Sequence, residues 1–195
     1  SMELNECIAL GGNKSFILQG NVPFVFVSKA DEKKCVIVEV CNSKSLGIYR
    51  FLYSYIVALG LLASKKMTEI DLCVSNGELE DDSDKKVCHL NVSASDAKEK
   101  LVTIYNNAFV ECKKNILPID LVVKSLESFA ELSAALDDGS GHDSWAYFGG
   151  KELFIDDLER YSGYSANSFS DDWAKACKEQ CALVPDLVKK FKAGA

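Results

Sequence analysis

Residues 35 to 64, CVIVEVCNSKSLGIYRFLYSYIVALGLLAS, restrict the fold more than any other part of the chain. The stretch opens on a β-branched run, Val36-Ile37-Val38-Glu39-Val40, and breaks at Asn42-Ser43-Lys44-Ser45. An apolar segment follows from Leu46 to Ala63, in which Arg50 is the sole charge. A short β-branched run bounded by polar residues predicts a strand buried on both faces. The apolar segment is too long for a strand and lacks alternation, so it predicts a helix surrounded by protein on nearly every side. A membrane span needs about 20 apolar residues, whereas Arg50 interrupts this segment a turn after its start. The segment is also internal, unlike a secretory signal. Together these features predict a domain with a central helix packed on a sheet.

At 195 residues with 48% hydrophobic content, the chain suits one domain with a real core, or one with an appendage. Its net charge of −7 argues against a free-standing nucleic-acid binder, which carries a basic footprint, while allowing one local basic face or a protein partner. The cysteines Cys7, Cys35, Cys41, Cys73, Cys88, Cys112, Cys177 and Cys181 include no CxxC pair, so a structural zinc site is poorly supported. Cys35, Cys73, Cys88 and Cys112 sit in apolar runs, where cysteine packs as a small hydrophobe. Cys177 and Cys181 stand one helical turn apart, open to a two-ligand metal clip or, more simply, to a packed helix face. With no secretory signal, reduced thiols in a cytoplasmic protein are expected. Ser1 ahead of Met2 reads as a tag remnant, and the chain as a piece of something longer.

Residues 5 to 40 predict strands, with turns at Gly11-Gly12-Asn13 and Gly20-Asn21 and a charged hairpin turn at Ala30-Asp31-Glu32-Lys33-Lys34. Pro23 marks a strand start or an edge, because it has no N–H to donate. Glu69 to Val74 alternates, and Val87 to Val92 returns as the next strand. His89 on that strand reads as a hydrogen-bonded structural histidine. The acidic stretch Ser75 to Asp84 lacks the EF-hand spacing and reads as a solvated hairpin loop. Ser93 or Ser95 caps a helix, Ser93 and Asp96 forming a capping-box pattern, with Ala97, Leu101, Ile104, Tyr105, Ala108, Phe109 and Cys112 on its apolar face. Leu117-Pro118 breaks the chain, and a further helix is expected near Asp120 to Leu136. Trp145, Tyr147 and Phe148 beside Gly149-Gly150 suggest either a packing cluster or a base-stacking platform. Asp156, Asp157 and Glu159 form an acidic group whose default reading is a solvated face. A last helix is expected from Ser168-Asp171 through Trp173, Cys177, Cys181 and Val184, closing on Lys189, Lys190 and Lys192. The fold class expected is thus α/β (α+β), with a mixed-sheet core over residues 2–118 and a helical C-terminal extension over 119–195, packed on the same domain.

No phosphate loop, GxGxxG, HExxH or GxSxG motif occurs, and no Cys/His pair falls in a recognised nucleophile motif. The order of strands, buried helix and strands resembles the restriction-endonuclease-like core, which carries a Gly-x-x-Asp turn and, on the next strand, Asp/Glu-x-Lys. In that core two carboxylates hold magnesium, which activates water and stabilises the leaving oxygen. Here the turn reads Gly20-Asn21-Val22-Pro23 and the strand Val38-Glu39-Val40-Cys41, so Pro23 replaces the aspartate, Cys41 replaces the lysine, and Glu39 alone survives. Over nearly the whole chain the serial order is similar to the nuclease-like C-terminal region of the exodeoxyribonuclease V gamma-subunit family, the RecC proteins of RecBCD helicase-nucleases. The features are Leu18-Gln19-Gly20, the helix ending Ala58-Leu59-Gly60-Leu61-Leu62-Ala63, Ser95 to Ala108, Leu117-Pro118, Tyr147-Phe148-Gly149-Gly150, Asp156-Asp157 and Leu183-Val184-Pro185.

The resemblance implies a non-catalytic domain that docks helicase subunits and handles DNA in double-strand break repair and recombination, with no cofactor, metal or membrane partner. Lys29, Lys33 and Lys34, with the C-terminal lysines, are the candidate phosphate contacts, and solubility is their plainer explanation. Two alternatives stand beside this expectation. One is a divergent magnesium-dependent nuclease using Glu39, Lys44 and a carboxylate such as Glu69 or Asp71. The other is an α/β protein-interaction module with no link to DNA.

Overall fold

The computed structural model describes residues 1–41, 48–76, 85–110, 179 and 181–192. The chain divides into two compact units, Ser1–Asn106 and Asn107–Ala195. The expected helix near Asp120 to Leu136, the Trp145-Tyr147-Phe148 group, the Asp156-Asp157-Glu159 group, Cys112, Cys177 and most of the acidic stretch before Lys85 lie outside the described residues.

The first unit opens with a hairpin of β1 (Met2–Gly11) and β2 (Lys14–Val22), antiparallel from Met2↔Val22 to Ile8↔Phe16. Its turn works because Gly11 and Gly12 adopt φ of 88° and 56°, joined by Asn13 at 62°, a residue type that tolerates the left-handed region. Burial alternates along both strands, with Leu4, Ile8 and Val22 buried and Glu3, Asn5, Cys7 and Ile17 outside.

The main sheet has the order β3-β4-β5-β6, formed by Val25–Val27, Lys34–Val40, Glu69–Ser75 and Lys85–Leu90. β4 and β5 are parallel, and β3 and β6 flank them antiparallel, so this is a mixed α/β sheet. Parallel neighbours need a crossover, which is supplied by a 3-10 turn (Ile48–Phe51) and helix α1 (Leu52–Ala63). The β3–β4 turn is held by local polar bonds. The Ser28 hydroxyl accepts from the Ala30 N–H (3.2 Å), and the Asp31 carboxylate accepts from the Lys33 N–H (2.9 Å).

Helix α1 buries Tyr55, Val57, Ala58, Leu59, Leu61, Leu62 and Ala63, residues that go round the whole helix. It can do so because β4 and β5 pack on it from one side, β1 from another, and α2 (Ala94–Tyr105) from a third. The hairpin comes closest at Gly60, where a Cβ would stand 2.7 Å from Leu18 Cδ2 and 2.8 Å from Leu4 Cδ2. The helix ends in a Schellman arrangement. Lys66 N–H donates to the Leu61 carbonyl (3.1 Å) and Lys65 N–H to that of Leu62 (3.0 Å), with Lys65 at φ 58° where glycine is usual. No helix among the described residues is long and apolar enough to cross a membrane.

Ser93 caps α2 as expected, its hydroxyl accepting from the Asp96 N–H at 3.1 Å. The hairpin meets α2 through a Phe16–Tyr105 ring stack (4.4 Å, 4°) and a Lys98–Glu6 ion pair (3.1 Å). The expected apolar face does not hold at Phe109. A π-helical turn over Asn106–Val110 widens the coil, and Phe109 ends up 69% exposed instead of packed. In the second unit, the expected single last helix is interrupted at Val184, and α3 spans Pro185–Lys192. Pro185 lacks an N–H and opens α3 at its first position, while Val188 N–H donates to the Val184 carbonyl (3.0 Å). Leu187 and Val188 are buried, and Lys189 and Lys190 are exposed.

A second difference concerns β4. Its β-branched run over residues 36–40 predicts burial on both faces, yet only Cys35 and Ile37, on the α1 side, are buried. Val36 and Val38, on the other side, are half-buried, and Val40 is 61% exposed.

Candidate functional site at the end of strand β4

Strand pleat decides which side chains meet. Cys35, Ile37 and Glu39 alternate onto the α1 side of β4, and the parallel register places Ile70, Leu72 and Val74 beside them. Glu39 therefore reaches the first turn of α1, where the buried Ser54 hydroxyl donates to its Oε2 at 2.6 Å. The neighbour of Glu39 on β5 is Val74, an apolar residue.

The antiparallel register of β3 and β4 runs Val25↔Ile37, and Val38 N–H donates to the Phe24 carbonyl at 3.1 Å. Pro23 lies two residues ahead of β3 and outside this register, since Phe24 between them turns to φ 51°. Cys41 follows one residue past β4, buried, with its N–H donating to the Ser75 carbonyl (2.9 Å). The three positions singled out in sequence, Pro23, Glu39 and Cys41, thus fall at one end of the sheet, and of the three only Glu39 has an ionisable carboxylate. Lys44 lies outside the described residues.

Glu69 and Asp71 belong to the opposite face of β5 from Val74, since they alternate with Ile70 and Leu72. They cannot join Glu39 around an ion without inverting the strand. They are engaged where they are: Lys34 Nζ lies 2.6 Å from Glu69, and His89 Nδ1 lies 2.7 Å from Asp71, with His89 Nε2 3.6 Å from Glu69. Asp71 and His89 are directly opposite across β5 and β6, which gives His89 the structural partner expected of it. Among the described residues no group of three or more His, Cys, Asp or Glu side chains is placed to hold a metal ion.

The candidate phosphate contacts Lys29, Lys33 and Lys34 are all exposed, and two of the three are engaged by groups of the chain itself. Lys33 Nζ donates to the carbonyls of Lys65 (3.1 Å) and Lys66 (3.5 Å) at the C-terminal end of α1, where a cation complements the helix dipole. Lys34 is tied to Glu69, whose hydrogen bond and charge raise the amine above its ordinary value of 10.5. Lys29 is exposed. Burial pushes the Cys35 thiol up to about 11, with a smaller push from Asp71. The Cys73 thiol is raised chiefly by burial as well.

Sequence reasoning missed Ser54. Its signal was present: a small hydroxyl inside an otherwise apolar enclosed helix needs a polar partner, and Glu39 is the carboxylate of the strand that precedes it.

Comparison of the chain with protein-family models, with curated proteins and with solved structures finds no match in any of the three.

Proposed function

We propose that this chain is a non-catalytic DNA-handling and scaffolding domain of a RecBCD-type helicase-nuclease, acting in the cytoplasm in double-strand break repair and recombination. The observation that carries the reading is that, among the described residues, no second carboxylate joins Glu39 in a group that could hold a metal ion. The Glu39 side chain is held by the Ser54 hydroxyl and flanked by Val74, and neither Pro23, ahead of β3, nor Cys41, just past β4, adds a carboxylate. A single carboxylate is a poor magnesium site, because the ion keeps most of its waters and needs further anionic ligands. Without that ion there is nothing to activate water or stabilise the leaving oxygen of a phosphodiester. The placement of Glu69 and Asp71 on the far face speaks against the divergent-nuclease alternative. The mixed sheet with its βαβ crossover supports the restriction-endonuclease-like assignment at the level of layout.

In this reading helicase subunits dock on the domain, and DNA is met within the complex rather than by the acidic chain alone. Two experiments test it. The tagged chain is mixed with the beta and alpha subunits of the same organism's exodeoxyribonuclease V, and association with at least one is expected; binding to neither refutes the scaffold role. The chain is also incubated with linear DNA and magnesium or manganese. No cleavage is expected, and cleavage lost in Glu39→Ala would overturn the non-catalytic reading.

A further inference from the structure

We draw no further inference here: the strongest candidate, the side-chain cluster of Lys34, Glu69, Asp71 and His89 across β4, β5 and β6, carries nothing, because its charges satisfy one another, no group among the described residues is placed to hold a metal ion, and nothing in the structure shows what covers that face of the sheet.

Discussion

Placing an alanine at Gly60 gives two effects of opposite sign, and the structure says which wins. In an isolated helix Gly→Ala stabilises by about 1 kcal/mol. In α1 the new methyl would lie 2.7 Å from Leu18 Cδ2 and 2.8 and 3.1 Å from the two Leu4 methyls. Leu18 is half-buried and can turn outward, but Leu4 is 2% exposed and has nowhere to go. Overpacking of this kind costs about 1–3 kcal/mol, so Gly60→Ala is expected to destabilise by roughly 1 kcal/mol net. In a Leu4→Ala background the obstruction is relieved, and the same change should stabilise by up to about 1 kcal/mol, a coupling of roughly 2 kcal/mol between residues on different elements. Urea unfolding of the four proteins of the cycle, followed by far-ultraviolet circular dichroism, measures it. A stabilising Gly60→Ala in the unaltered chain, or equal effects in both backgrounds, would refute the seating of the hairpin on α1.

Ser54→Ala removes the donor to Glu39 and should cost about 1–3 kcal/mol, with Glu39→Gln partly epistatic to it in a denaturation cycle. Lys65→Gly relieves a side chain held at φ 58° and should raise stability by about 0.5–1 kcal/mol, read as a higher urea midpoint. Cys35, with its thiol near 11, should stay unmodified by a thiol reagent at pH 8, while exposed Cys7 reacts; Cys7→Ser should remove a fast labelling phase that Cys35→Ser leaves unchanged. The folded state holds the Cys35 proton more tightly than the unfolded chain, so this contribution to stability is full below about pH 8.5 and lost as pH rises toward 11, and Cys35→Ala should flatten that part of a stability–pH profile. Cys35 labelling as fast as Cys7 at pH 8 would contradict its burial.

Local chemistry made much of the first unit readable from the chain alone. The Gly11-Gly12-Asn13 turn, the Ser93 cap with Asp96, the alternation of β5 and the enclosed character of α1 are all properties of neighbouring residues, set by backbone sterics and by the period of apolar side chains. That Pro23 and Cys41 carry neither a carboxylate nor an amine was likewise visible as residue identity. Three things were not. The pairing of Ser54 with Glu39 joins residues 15 apart in sequence across a strand–helix boundary, and no local pattern encodes it. The separation of Glu69 and Asp71 from Glu39 depends on the parallel register of β4 and β5, because a shift of one residue would reverse the faces. The partial burial of Val36 and Val38 depends on which elements come to rest against the sheet. An apolar run records that a strand is suited to burial, but the partner that buries it is chosen by tertiary contacts, since the hydrophobic effect scales with area removed from water and carries no direction of its own.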